Sequence, residues 1–174
     1  MKEALNAGAQ TWADHLANTQ TFAHADSADR PNQGENLYTA WTSQLLTGDA
    51  LKQWAISKST DAVQSWYDEI SDFNWASPND RSSHTGVVGH FTQVVWTSSV
   101  ELGIGYKTYV QDGGSKIVVV GRYTSPGNWG GQYAEKVKPV KTCEATTVTV
   151  EPTTITEKLS DTTVKPITEW FFQN

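Results

Sequence analysis

The sequence predicts an α+β domain, on three observations. Apolar residues recur at helical spacing over residues 2–20, two further helical stretches follow at 48–58 and 60–71, and two Val- and Ile-bearing stretches flank a Gly-rich turn. Helix-period segments followed by a strand pair are the pattern of helices packed on an antiparallel sheet.

The first helix rests on Leu5, Ala9, Trp12, Ala13 and Leu16, with Ala frequent throughout. Residues 21–34 hold Asp, Ser, Pro, Asn and Gly and read as a loop. Residues 35–41 (ENLYTAW) read as a short buried strand. The stretches 48–58 and 60–71 repeat one another: Gly48-Asp49-Ala50-Leu51-Lys52-Gln53-Trp54 is echoed by Thr60-Asp61-Ala62-Val63-Gln64-Ser65-Trp66. The repeat is one short helix long, too small to define a solenoid. Residues 74–89 are loop-like, and 90–97 (HFTQVVWT) fit a short helix or a strand equally well. Leu102–Gln111 and Lys116–Thr124 are expected to pair through Asp112-Gly113-Gly114, where Gly permits positive φ. Residues 125–131 (SPGNWGG) form a Gly-rich loop.

Composition changes near residue 140. Ten Thr fall in 142–174, with few core-forming residues. The expected division is a domain over 1–140 and a Thr-rich tail or linker over 141–174, extended and open to O-glycosylation. The alternative is an added β-module, since Val and Thr alternate in 146–150.

The chain has 174 residues, a net charge of -6 and a pI of about 5.1, with no Lys/Arg cluster. These values exclude nucleic acid as an expected partner. Cys143 stands alone, so no intramolecular disulfide can form. Eight Trp, six Tyr and five Phe suit a compact core, a ligand groove, or both. No apolar run approaches the roughly 20 residues that span a bilayer, so no transmembrane segment is expected. The opening Met-Lys-Glu falls at once into a helical pattern without a secretory signal, as the interior of a domain would.

The chemistry-bearing residues are few. The four His are His15, His24, His84 and His90. Two carboxylates sit in distinctive settings, Glu35 in Gly34-Glu35-Asn36-Leu37-Tyr38 and Glu69 in Trp66-Tyr67-Asp68-Glu69-Ile70. A carboxylate entering a buried strand, and a His beside a Gly-rich turn, need polar partners if buried. Two imidazoles and two carboxylates suit a borderline cation such as Zn²⁺, with positions left for water. Taken singly, each also reads as a solvated or structural side chain. Within the repeat, Ser57 stands where the second copy has Glu69, so only the second copy supplies a carboxylate.

GENLY, WYDEI, GHFTQVVW and GRYTSPGN resemble, in order, the signature segments of the CAP superfamily of cysteine-rich secretory, antigen 5 and pathogenesis-related type 1 proteins. Ala9-Gln10-Thr11-Trp12-Ala13-Asp14 resembles the second helix of that family. The resemblance covers roughly residues 4–135. It implies a three-layer α-β-α sandwich around a small antiparallel sheet, here without the family's first helix. It also implies a cleft holding two His and two Glu. By motif these are His24, Glu35, Glu69 and His90, with the two His as the metal-binding pair for a weak, exchangeable divalent cation such as Zn²⁺. His15 and His84 match no family position. His15 is expected on a helix surface, and His84 on a loop that could reach the cleft.

The low cysteine content is closest to the Golgi-associated plant-pathogenesis-related-like branch. Members of that branch attach peripherally to membranes through an N-terminal lipid, and Met-Lys here offers no myristoylation signal. The resemblance implies a binding protein for lipid, sterol or a protein partner in secretion or defence. The expected location is extracellular or in the secretory pathway, or the cytoplasmic face of the Golgi membrane. The alternative is a metal-dependent hydrolase with Glu35 or Glu69 as general base. Against it, the sequence holds no His-Glu-x-x-His motif. Ser65, Ser71 and Ser98 lie in no nucleophile-elbow context.

Overall fold

The computed structural model describes residues 2–139; the Thr-rich segment read as a tail or β-module lies outside the described residues. Helix α1 spans Lys2–Thr19 and strand β1 Gly34–Thr42. Helix α2 spans Gly48–Asp68 and runs into a 3₁₀ turn at Glu69–Asp72. The short helix α3 (Gly89–Val94) precedes strands β2 (Glu101–Gln111) and β3 (Gly114–Thr124), and one turn of helix, α4, closes at Tyr133–Lys136.

The three strands form an antiparallel sheet in the order β1-β3-β2. The β2–β3 hairpin turns on Asp112 and Gly113, whose φ values are +52° and +76°. Positive φ at both central residues is the turn geometry that matches strand twist. Gly114 already belongs to β3. The central strand is buried on both faces, and its side chains alternate between them. Val118 and Val120 join Leu37 against Ala9, Ala13 and Leu16 of α1. Ile117 and Val119 face Ala55, Ala62 and Trp66 of α2. The result is the three-layer α-β-α sandwich.

Helix α1 lies very close to the sheet because both sides are small there. The α1 backbone at Leu5–Asn6 and Ala9–Gln10 crosses β2 where Gly103 and Gly105 leave room: a Cβ on either glycine would overlap it. The same contact protects an edge. Asn6 Oδ1 accepts from Ile104 N at 2.9 Å, and Gln10 both accepts from Tyr106 N at 3.2 Å and donates to Tyr106 O at 2.9 Å. These side chains satisfy backbone groups that an edge strand would otherwise present for pairing. The helix ends where Gln20 takes φ +53° and Thr21 N donates to Leu16 O at 3.2 Å, a C-terminal cap that satisfies one carbonyl of the last turn.

One expectation is corrected, and one open reading is resolved. The stretches 48–58 and 60–71 are not two helices: α2 is continuous from Gly48 to Asp68. No Gly or Pro interrupts the junction. The hydroxyls of Ser59 and Thr60 bond back to Ala55 O and Ile56 O, and Lys58 Nζ pairs with Asp61 at 2.6 Å. These contacts occupy the polar groups that would otherwise have favoured a turn. The repeated tryptophans lie twelve residues apart, about 120° around a helix of 3.6 residues per turn. Only Trp66 reaches the core fully, and its Nε1 donates to Leu37 O at 3.0 Å. The ambiguous stretch 90–97 resolves as helix α3 followed by a turn. Its Phe91 enters an aromatic cluster with Phe73, Trp96 and Tyr133, which a strand's period of two would not have placed together.

Candidate functional site: two histidine–glutamate pairs

The loop after α1 carries His24. Trp12 Nε1 donates to Ala23 O at 3.1 Å, and Arg30 donates to Ala25 O at 2.9 Å and Gln33 O at 2.8 Å, which fixes the loop on both sides of the histidine. Glu35 is the second residue of β1, and its side chain is fully buried. Glu35 Oε1 lies 2.7 Å from His24 Nδ1 and accepts from Ala25 N at 3.0 Å. An ionised carboxylate can only accept, so the contact assigns His24 Nδ1 as the donor, and in the neutral ring Nε2 then keeps its lone pair.

The second pair repeats the chemistry with different scaffolding. Glu69 begins the 3₁₀ turn after α2, and His90 is the second residue of α3. Glu69 Oε2 accepts from His90 N at 2.9 Å and from Phe91 N at 3.2 Å, and Oε1 lies 2.6 Å from His90 Nδ1. One carboxylate thus caps the free amides at the start of α3 and orients the ring. Both histidines are held by Nδ1. Neither Nε2 has a hydrogen-bond partner among the described residues. The His24 side chain is 55% exposed and that of His90 30%.

Two further contacts bring the pairs onto neighbouring elements. Asn36, next to Glu35, donates to His90 O at 3.1 Å and to the Tyr123 hydroxyl at 3.1 Å. Gly34 lies so close to Gln93 of α3 that a Cβ would overlap the Gln93 amide. The loop after β3 holds α3 from the other side. Gln93 Oε1 accepts from Gly127 N at 2.8 Å, and Asn128 Nδ2 donates to Gly89 O at 2.8 Å while Thr92 Oγ1 donates to Asn128 Oδ1 at 2.6 Å.

Behind Glu35 lies Arg122, its cross-strand partner on β3. Arg122 Nη2 is 2.9 Å from Glu35 Oε2, and the arginine is only 2% exposed. The contact is an ion pair without hydrogen-bond alignment at Glu35 Oε2, and Arg122 Nε and Nη1 likewise have no hydrogen-bond partner among the described residues. Burial pulls the guanidinium below its ordinary pKa, and the Glu35 charge opposes that shift. Burial also pushes the Tyr123 phenol upward, against the Asn36 hydrogen bond.

A family model described as "Cysteine-rich secretory protein family" (CAP) matches residues 2–123. The chain belongs to the CAP family. It is 34% identical over 139 residues to the human Golgi-associated plant pathogenesis-related protein 1, covering 79% of this chain and 77% of that protein. It is 35% identical over 130 residues to human cysteine-rich secretory protein 2, covering 68% of this chain but only 44% of that longer protein. Among solved structures, BmVAL-1 superposes with a TM-score of 0.58 at 28% identity, over 73% of this chain and 58% of that one.

In this CAP domain the sequence-expected residues assemble as His24 with Glu35 and His90 with Glu69. They do not converge as a single ligand cluster: among the described residues no three or more His, Cys, Asp or Glu side chains stand together as metal ligands. The available donors are the two Nε2 atoms. His15 is exposed and stacks on Trp12 with centroids 4.5 Å apart, as expected of a helix surface. His84 bonds to neither pair: its ring stacks on Phe73 at 4.9 Å, and Nδ1 accepts from Asn74 N at 3.0 Å. Arg122, Asn36 and Asn128 were not singled out from sequence. For Arg122 there was a signal, a lone charge ending the apolar run of the central strand.

Proposed function

We propose that this CAP domain is a non-catalytic binding module whose cleft takes one exchangeable Zn²⁺-like cation. His24 and His90 would hold it through Nε2, and the ion would supply a Lewis-acidic centre with water at its remaining positions. The observation that carries the reading is that both rings are bonded to a carboxylate through Nδ1. That arrangement fixes the tautomer with the Nε2 lone pair outward and makes the ring a better ligand. Two nitrogens make a weaker site than a closed four-ligand one, so chelators should strip the metal.

Binding is favoured over hydrolysis by the state of the two carboxylates. Glu35 and Glu69 are already engaged by imidazole, by backbone amides and, for Glu35, by Arg122. A general base needs an oxygen within reach of the proton it removes. A lipid or sterol ligand is the second reading. A mainly apolar cleft of about 130 Å³, lined by Val63, Trp66, Val94, Val100, Leu102 and Tyr123 with Ser99 and Glu101 beside them, favours it. Sites that enclose drug-sized ligands run roughly 300–1,000 Å³, so a lipid would lie partly outside. The extracellular or secretory setting, and the alternative at the Golgi membrane, belong to this same reading. No described helix is long and apolar enough to cross a membrane.

Calorimetric titration with Zn²⁺ tests the cation. Wild type and His15→Ala should bind one ion equally, and His24→Ala and His90→Ala should each lose most of the affinity. Equal affinity in the wild type and the double His24→Ala/His90→Ala variant would sink the proposal. Flotation with sterol-containing anionic liposomes tests the second reading, with an unrelated acidic protein as the control.

A further inference from the structure

We infer that Arg122 is a positioning residue: its buried guanidinium holds the Glu35 carboxylate in the orientation that fixes the His24 tautomer. The two pairs differ in how their carboxylate is anchored. Glu69 has both oxygens engaged by hydrogen-bond donors from α3, including two backbone amides. Glu35 has such donors on Oε1 alone, His24 Nδ1 and Ala25 N. Its other oxygen faces Arg122 Nη2 at 2.9 Å, and no aligned hydrogen bond reaches it among the described residues. Glu35 is fully buried and Arg122 nearly so, so each is the chief charge compensation of the other. A buried carboxylate without that partner would be free to turn, or would be driven to its neutral form.

Placement makes the contact rigid. Glu35 and Arg122 are directly opposed on β1 and β3, so the sheet register sets their approach. Along β3 Arg122 follows Val118 and Val120 on the face turned to α1, as Glu35 precedes Leu37 on β1. Arg122 touches neither histidine. It acts on His24 only through Glu35, and His90 is an internal control on a carboxylate it does not meet.

The consequence for metal affinity rests on the cation reading, whereas the tautomer does not. The test is ¹⁵N NMR of the histidine rings, in chelator at a pH where both rings are neutral. Wild-type His24 and His90 should both show a protonated Nδ1 and a bare Nε2. In Arg122→Gln the His24 signal should lose that bias and move toward the mixture of free imidazole, with His90 unchanged. Arg122→Lys, which keeps a cation facing Oε2, should restore most of it. An unchanged His24 in Arg122→Gln, equal changes at both histidines, or a Lys variant that behaves like Gln would each overturn the inference. If Arg122→Gln does not fold, the wild type decides. Rotation of the Arg122 guanidinium about Nε–Cζ should be slow, and free rotation would overturn the role. Zn²⁺ affinity should fall about 10-fold in Arg122→Gln, as for other residues that orient a ligand. If the wild type binds no Zn²⁺, the cation reading fails, and the tautomer still judges Arg122.

Discussion

Asn36 on β1 donates its side-chain amide to the backbone carbonyl of His90, 54 residues further along the chain, at 3.1 Å. The same amide nitrogen donates to the Tyr123 hydroxyl. One 1%-exposed side chain therefore joins the strand that carries Glu35 to the helix that carries His90. Asn36→Ala should lower stability by about 1–3 kcal/mol, because a buried carbonyl and a phenol lose their partner. Urea denaturation checks this. An unchanged midpoint would mean that water replaces the amide.

Glu69→Gln should act on stability and on the site together. The amide has one acceptor oxygen where the carboxylate has two, and its NH₂ must face a donor at His90 or Phe91. Loss of the α3 cap should cost about 1 kcal/mol. Zn²⁺ affinity should fall about 10- to 100-fold through misorientation of His90, less than in His90→Ala. Thermal denaturation and calorimetry on the same sample separate the two effects.

Alkaline pH should destabilise the domain in part through Tyr123. Burial raises this phenol above its ordinary value, so the folded chain keeps the proton longer than the unfolded chain. Its contribution is fully present below about pH 10, the unfolded tyrosine value. Above that pH the unfolded state binds fewer protons, and stability falls as pH rises toward the folded pKa. Tyr38 and Tyr109 shift in the same direction but are less buried. Urea midpoints at pH 9 and pH 11 should fall less steeply for Tyr123→Phe than for wild type. Equal slopes would show that Tyr123 is not the source.

Gly105→Ala should lift α1 from the sheet. The added methyl would overlap the backbone of Ala9 and Gln10, which cannot rotate away as a side chain could. Overpacking of this kind costs about 1–3 kcal/mol. Hydrogen exchange should rise at the Ile104 and Tyr106 amides, because Asn6 and Gln10 would no longer reach them. A stable variant with unchanged exchange at those amides would contradict the close approach.

The sequence by itself determined the elements whose signals are local. Helix α1 was legible because Leu5, Ala9, Ala13 and Leu16 repeat at helical period, and the β2–β3 hairpin because Asp112-Gly113 can take positive φ. The motifs around Glu35, Glu69 and His90 marked the site residues through resemblance to a family. Local signals misled near residue 59, where the repeat reads as two helical stretches but Ser59 and Thr60 bond back into a continuous α2. They were silent on 90–97, whose helical state rests on Phe91 entering an aromatic cluster. Only the tertiary structure decided how the four site residues are partnered. His24 lies 11 residues from Glu35 and His90 lies 21 from Glu69, and the two pairs meet through Asn36 across 54 residues. It also placed Arg122 behind Glu35, because strand register is fixed by pairing between segments far apart in the chain. A buried charge acquires its role from the partner that folding sets beside it, and no local pattern specifies that partner.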